Sequence, residues 1–168
     1  MKKTIIAVLA TLLILSAGAF AQVSVNGSYE FTHLYVDGQV VNSAPGWNAG
    51  LNIPVYKSFG LLTQFSGTSA TFGKSSVALN TFGEGVQYQP LKGKFLRPYV
   101  NFVIADARFS TDNYSVNKLA ETAGAGLDFS ISKHFALRAG VEYLHAALLS
   151  ATSGLNGVRP LGGITYRF

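Results

Sequence analysis

Apolar and polar residues alternate along almost the whole chain after residue 22. From Val23 to Tyr35, odd-numbered residues are mostly apolar or aromatic and most even-numbered residues are polar. A period of two places successive side chains on opposite faces of a β-strand, whereas a helix requires a period near 3.6. Helical spacing is hard to find over the same range. The pattern therefore predicts an all-β chain.

Eight stretches carry this alternation, seven of them cleanly. The clean stretches are 23–35, 47–55, 59–65, 96–104, 123–131, 135–143 and 162–168. The fourth stretch in chain order, 77–88, places Glu84 on the same parity as Phe82 and Val86. Because Gly83 and Gly85 flank Glu84, a bulge could switch the parity there, and the sequence leaves the register of this strand open.

The segments between these stretches alternate strictly between long and short. The long links lie near 37–45, 68–75, 106–121 and 147–156, and the short links near 56–58, 89–94 and 132–134. Short periplasmic turns and longer external loops are typical of outer-membrane barrels. We therefore predict an eight-stranded antiparallel up-and-down transmembrane β-barrel. Its two termini are expected on the periplasmic side.

Charge distribution indicates which face of the barrel meets lipid. The apolar faces of the seven clean stretches carry no Asp, Glu, Lys or Arg. The opposite faces carry a balanced set, which we expect to form a charge network inside a filled lumen: Glu30, Arg97, Asp128, Arg138, Glu142 and Arg167. A soluble barrel such as a lipocalin has the reverse arrangement. Paired charges are tolerable in a closed interior, whereas charge on a lipid-facing wall is destabilising.

Composition excludes several other classes of protein. The chain has 168 residues, of which 48% are hydrophobic and only 12% charged, and it contains no cysteine. A disordered chain would have more charge, and a disulfide scaffold needs cysteine.

Aromatic residues near strand ends suggest interfacial belts. The candidates are Tyr29, Tyr35, Trp47, Phe59, Phe135, Tyr143, Tyr166 and Phe168.

The first 21 residues have the organisation of a secretory signal peptide. Lys2 and Lys3 precede an apolar run from Ile5 to Leu15, and Ala19-Phe20-Ala21 forms a small-residue cleavage motif. We predict a cleaved signal at 1–21 and a barrel at 22–168, with an uncleaved anchor as the alternative. Removal of the two lysines lowers the formal charge from +5 to +3. No basic cluster remains, so nucleic acid is not an expected partner.

The C-terminal run of Gly162, Ile164, Tyr166 and Phe168 resembles the β-signal that the barrel assembly machinery reads in bacterial outer-membrane proteins. Two internal stretches, Gly46–Ala49 and Gly124–Asp128, are similar to the small outer-membrane β-barrel domain family. The resemblance implies export to the outer membrane of a Gram-negative cell envelope. It also implies a monomer in contact with outer-membrane lipid, lipopolysaccharide and the assembly machinery.

The resemblance is unspecific for activity, because the family includes structural barrels, adhesion and serum-resistance proteins, and lipid-modifying enzymes. We expect a structural or surface-interaction role in which external loops contact lipopolysaccharide, host or matrix. The alternatives are a lipid-modifying enzyme or a narrow channel. A soluble lipocalin-like binder is a more remote alternative.

Catalytic and cofactor motifs are sparse in this sequence. Lipid A deacylases of this shape use a Ser–His–acid arrangement on the outer rim, and the histidines here are His33, His134 and His145. His134 falls in a predicted periplasmic turn, at the end of the barrel opposite to the outer rim. His145 is near the outer rim, but Glu142, the nearby acid, faces the lumen. We therefore expect no catalytic site, with deacylase-like activity as the alternative. The absence of cysteine and of clustered histidines argues against a metal, and no cofactor is expected.

Overall fold

Eight antiparallel strands close into one barrel. The computed structural model describes residues 23–36, 39–72, 75–91, 95–111, 114–147 and 154–168, so the expected signal peptide at 1–21 lies outside the described residues. The strands are β1 (Ser24–Val36), β2 (Gln39–Tyr56), β3 (Phe59–Phe72), β4 (Ser75–Tyr88), β5 (Leu96–Thr111), β6 (Ser115–Ser130), β7 (Phe135–Ala147) and β8 (Gly154–Arg167). Each strand pairs with the next, and β8 pairs with β1. The predicted eight-stranded antiparallel up-and-down barrel is confirmed.

In the described ranges, no helix has the length and apolar character needed to cross a membrane.

The two ends of the barrel differ in their connections. At one end, which we call the turn end, β2–β3, β4–β5 and β6–β7 are connected, and the first residue of β1 lies beside the last residue of β8. The other four connections, β1–β2, β3–β4, β5–β6 and β7–β8, lie at the opposite end, which we call the hairpin end. The turn between β2 and β3 consists of Lys57 and Ser58, as the short link at 56–58 predicts. Lys57 has a φ of 48°, in the left-handed region that favours glycine.

The expected long links 37–45, 68–75 and 106–121 are largely strand, so their predicted extents are wrong, whereas most of the link 147–156 lies outside the described residues. β5 continues to Thr111 and β6 begins at Ser115, which places most of the predicted link 106–121 in paired strands. The polarity of the two faces is reversed here, because Asp106 and Arg108 face outward whereas Ala105 and Ala107 are buried in the interior. Backbone pairing continues regardless of side-chain polarity.

The register of β4, which the sequence leaves open, is continuous, and no bulge occurs near Glu84. β4 pairs without a shift with β3, from Phe59 opposite Tyr88 to Phe72 opposite Ser75. Its pairing with β5 is equally regular. Glu84 is therefore exposed on the outer wall between Phe82 and Val86, opposite Thr63 and Ile104. It is an acidic residue on a wall whose neighbouring side chains are mainly apolar.

Aromatic side chains cover the outer wall near the turn end. Phe59 packs against Tyr88 with ring centroids 4.7 Å apart, and Tyr166 contacts both Phe135 and Phe168 at 5.0 Å. Among the eight predicted belt residues, the most exposed are Tyr29, Trp47, Phe59, Phe135, Tyr143 and Phe168. This placement is the one that an interfacial aromatic belt requires.

Replacement of Glu84 by Leu is expected to stabilise the barrel in a bilayer. Glu84 is the third outward residue from the turn end of β4, about 10 Å above Tyr88 at the usual strand tilt. Removing a carboxylate from this depth should raise the free energy of unfolding by about 1–2 kcal/mol. The fluorescence of Trp47, the single tryptophan of the chain, reports unfolding by urea in lipid vesicles.

Glu121→Leu is the matched control. Glu121 lies on the outer wall as the fifth outward residue from the turn end of β6, beyond most of the apolar belt. Replacement of Glu121 should change the free energy of unfolding by less than replacement of Glu84 does. An equal or larger gain from Glu121→Leu would contradict a lipid-buried Glu84.

Candidate functional site in the barrel interior

The interior is divided into an apolar layer and a polar layer. The apolar layer packs toward the hairpin end, and we call it the apolar plug: Leu62, Leu79, Val103, Ala105, Ala107, Ala120, Leu144, Ala146 and Leu155. Leu34 and Phe109 pack against it. The polar layer fills the middle and the turn half of the barrel. Charged side chains lie only where other polar groups of the interior can satisfy them.

Asp128 is the centre of the polar layer near the turn end. The Arg138 guanidinium donates to both of its carboxylate oxygens, from Nε at 2.8 Å and Nη2 at 3.1 Å. Arg167 Nη2 and Gln89 Nε2 donate to Oδ2 at 3.4 and 3.3 Å. Pairing in the sheet places Asp128 directly opposite Arg138 on β7 and Arg97 on β5. The fork geometry of Arg138 suits a buried carboxylate, since two parallel hydrogen bonds offset its lost hydration.

Arg159 is the second centre and links two carboxylates on the strands that flank β8, Glu30 on β1 and Glu142 on β7. Its Nη1 donates to Glu30 Oε1 at 3.3 Å, and its Nη2 lies 3.8 Å from Glu142 Oε2. Nη1 also donates to Ser66 Oγ at 2.8 Å, and Nη2 to Thr122 Oγ1 at 3.2 Å. Arg159 is only 2% exposed. One guanidinium therefore ties together β1, β3, β6, β7 and β8.

Amide side chains complete the environment of Glu142. Gln64 Nε2 donates to both carboxylate oxygens, at 2.9 and 3.0 Å. Asn101 Nδ2 and Asn48 Nδ2 donate at 3.1 and 3.4 Å. Four donor contacts from neutral amides stabilise the buried negative charge without adding counter-charge.

Glycines on the inner wall make room for Tyr99. A Cβ on Gly126 would lie 2.6 Å from the Tyr99 hydroxyl, and one on Gly140 would overlap the same atom. The Tyr99 ring in turn lies below Arg138, with Cζ 4.2 Å from the ring centroid. At these two positions the space is occupied by an aromatic ring that supports an arginine.

Five of the six charged residues predicted for the lumen are buried in this network: Glu30, Asp128, Arg138, Glu142 and Arg167. Arg97 is half-buried and lies near the turn end. Sequence reasoning missed Arg159, because β8 was predicted to begin at Gly162. Extending the parity of Arg167 and Thr165 back along the chain would have placed Arg159 on the inner face. The fully buried set then contains three acids and three arginines.

The described interior leaves little empty space. One cavity of about 40 Å³ opens near the turn end, and one of about 10 Å³ lies between Gln64, Tyr99 and Arg138. Glu30 Oε2 and Arg159 Nε are buried without a protein partner, as sites for internal water. A conducting lumen would need a continuous wet path, and the apolar plug occupies the hairpin half. The arrangement can hold strands rigidly, but it offers a solute no evident passage.

The three histidines are distributed over both ends of the barrel. His145 Nδ1 contacts Asn156 Oδ1 at 2.8 Å on the outer wall, apart from Glu142 in the lumen. His134 Nδ1 contacts the Arg167 carbonyl oxygen at 2.8 Å at the turn end. His33 Nδ1 lies 2.8 Å from Ser43 Oγ on the outer wall near the hairpin end. Within the part of the chain that the structure describes, no three His, Asp or Glu side chains converge as potential metal ligands.

The residues that resemble a β-signal lie on the outer wall of β8. Their common parity places Gly162, Ile164, Tyr166 and Phe168 on one face, and Phe168 N donates to the Val23 carbonyl oxygen at 3.0 Å. This face is available to another protein before the barrel inserts into lipid. Recognition by the assembly machinery stays a prediction.

Replacement of Arg159 by Met is expected to lower the free energy of unfolding by about 3–5 kcal/mol, because it leaves two buried carboxylates without their shared cation. Urea unfolding in vesicles measures the change. The double variant Glu30→Gln with Arg159→Met should recover much of the loss, since Glu142 keeps its amide donors. Arg97→Met, at a half-buried site, is the control and should cost less. Equal losses for Arg97→Met and Arg159→Met would refute a central role for Arg159.

Comparison with known proteins places this architecture in context. The family model described as "Outer membrane protein beta-barrel domain" matches residues 7–168. No curated protein sequence matches.

Solved structures with the same fold include Neisserial surface protein A, with a TM-score of 0.75 at 10% identity over 87% of this chain and 97% of that chain. OprG from Pseudomonas aeruginosa gives 0.64 at 12% identity, over 89% and 96%. Ail, the attachment invasion locus protein of Yersinia pestis, gives 0.61 at 19% identity, over 89% and 99%. Ail has also been solved in complex with the heparin analogue sucrose octasulfate. Identities this low show the shared fold alone.

Proposed function

Since the chain belongs to the outer membrane protein beta-barrel domain family, we propose that it is a surface-interaction barrel of the outer membrane. In this proposal the turn end faces the periplasm and the hairpin end faces outward. The projecting hairpins contact lipopolysaccharide, host or matrix molecules. The segment 1–21 would direct export and be cleaved.

Strand length is the observation that carries this proposal. A strand needs about 9–11 residues to cross a bilayer at the usual tilt. β2 has 18 residues, and β5 and β6 have 16 each. The surplus of roughly 5–9 residues corresponds to about 12–22 Å of paired strand beyond the apolar belt. A barrel with a purely membrane-embedded role has no need of such an extension.

The extension of β5 and β6 presents an ordered polar surface. On the outer wall, Asn117 Nδ2 donates to Asp106 Oδ2 at 3.0 Å. Arg108 Nε donates to Ser115 Oγ at 3.0 Å. Because these side chains are held across paired strands, less conformational entropy is lost when a partner binds than with a flexible loop. The surface therefore suits recognition of an extended polar partner.

The outer wall also offers a site for membrane lipid. A groove of about 390 Å³ lies between Tyr29 and Trp47 on one side and Ala78 and Asn80 on the other. Gly67 forms its floor beside the Trp47 indole. An apolar groove with a few polar atoms at its edge suits an acyl chain and the adjoining headgroup of an outer-membrane lipid.

A triple variant of the extension tests the proposal: Asp106→Ala, Arg108→Ala and Asn117→Ala. It should weaken binding to immobilised lipopolysaccharide or heparin several-fold without changing the urea unfolding midpoint, because its side chains lie outside the interior network. Lys133→Ala, at the turn end, is the control and should bind as the unmodified protein does. Unchanged binding by the triple variant, or an equal loss in the control, would reject the hairpin surface as the contact site.

The contact between Ser43 and His33 favours lipid modification as a second candidate function. A serine paired with a histidine is the minimal nucleophile–base unit of an acyl hydrolase. Both residues lie on the outer wall toward the hairpin end, where lipid A acyl chains would be. In the residues described, no carboxylate hydrogen-bonds to this histidine.

Mass spectrometry of lipid A decides this second candidate. Expression of the unmodified protein should remove an acyl chain from lipid A, and Ser43→Ala should abolish that change while leaving the barrel folded. Identical lipid A spectra with and without expression would end the hypothesis.

A further inference from the structure

A small pocket at the turn end is lined by three cationic side chains. Lys57 comes from the β2–β3 turn, Arg97 from the start of β5 and Arg167 from the end of β8. The pocket has a volume of about 40 Å³ and is open at the mouth of the barrel. It lies outside the buried network of three acids and three arginines, except that Arg167 belongs to both.

The side chains that line this pocket are positively charged or neutral. Asp128 is the buried carboxylate nearest to it, and it accepts the two short hydrogen bonds from Arg138 before the longer one from Arg167. No acidic residue lines the pocket itself among the residues described. The lining therefore carries three cationic side chains, and Arg167 shares the Asp128 carboxylate with Arg138.

Two buried amides face the same pocket without partners. Gln87 is 1% exposed, and neither its Nε2 nor its Oε1 has a hydrogen-bond partner. Asn52 is 6% exposed, and its Oδ1 has no partner. A buried polar group without a partner is destabilising, so such groups commonly mark a bound water or ligand. Either amide can turn its NH2 group toward an acceptor in the pocket.

Gly60 helps to keep the pocket open. It lines the pocket, and a Cβ at this position would overlap Asn52 Oδ1. The remaining space accommodates one small tetrahedral group together with water, but it is too small for a sugar ring.

We propose that this pocket binds a phosphate group that enters from the turn end. Lys57, Arg97 and Arg167 supply the charge, and the Gln87 amide donates to a phosphate oxygen. A tetrahedral anion fits better than a carboxylate, because three cationic side chains line the pocket and the donors approach from several strands. The phosphate comes either from a free phosphorylated solute or from the headgroup of a lipid in the adjacent leaflet.

Isothermal titration calorimetry with inorganic phosphate tests the site on the refolded full barrel in a phosphate-free maltoside detergent. The unmodified protein should bind phosphate at one saturable site, and acetate about tenfold more weakly. Lys57→Asn should weaken phosphate binding about tenfold, since a charge-assisted contact is lost. Asn also tolerates the left-handed backbone at this position, so the turn should be retained.

Two further variants distinguish phosphate binding in this pocket from nonspecific attraction of phosphate to the positive charge at the turn end. Lys133→Asn removes the same charge from another turn at the same end and should bind phosphate as the unmodified protein does. Gln87→Leu should weaken binding several-fold with no change of net charge. Absence of saturable phosphate binding, or equal weakening by Lys57→Asn and Lys133→Asn, would overturn the proposal.

The source of the phosphate is resolved in nanodiscs of phosphatidylethanolamine and phosphatidylglycerol. If a lipid headgroup occupies the pocket, titration with free phosphate gives no signal in nanodiscs. An immobilised lipid ³¹P resonance then appears and is absent in Lys57→Asn. If a solute is the ligand, the titration persists in nanodiscs with the affinity seen in detergent. Either result supports the phosphate site, and neither depends on what the hairpin end contacts.

Discussion

Closure of the sheet between β1 and β8 is the constraint on which the rest of this structure depends. A strand edge inside a bilayer would leave backbone N–H and C=O groups without partners, at several kcal/mol each. The register of Ser24 opposite Arg167 removes that edge. Once the sheet is closed, each side chain must face either lipid or a narrow lumen, because β-strands place alternate side chains on opposite sides.

The narrow lumen then requires that buried charged side chains be paired with opposite charges or hydrogen-bonded. Arg138 and Arg159 reach carboxylates from several strands, so the strands of the barrel are joined through its centre as well as around its wall. Amides and hydroxyl groups fill the remaining positions, and the apolar plug occupies the hairpin half. A filled interior of this kind favours rigidity over conduction. It also separates the two ends, so that any recognition at one end is independent of the other.

Exceptions to these rules are the most informative places on the molecule. Glu84 lies on an apolar wall, and three cationic side chains line the pocket at the turn end. The extensions of β5 and β6 carry charged side chains on their outer face as well, where water replaces lipid as the neighbour. Apart from Glu84, these departures from the inside–outside pattern mark either a boundary of the membrane or a candidate binding surface.

The sequence by itself determined the barrel, its strand number and its inward face, because a period of two and the exclusion of charge from one parity are local properties of the chain. Five buried members of the charge network followed from that parity. The ends of the strands, the regular register of β4, the role of Arg159 and the pairing of Ser43 with His33 were decided only by tertiary structure. Each depends on which residues of a neighbouring or opposite strand lie beside it, and alternation along a single strand carries no information about that.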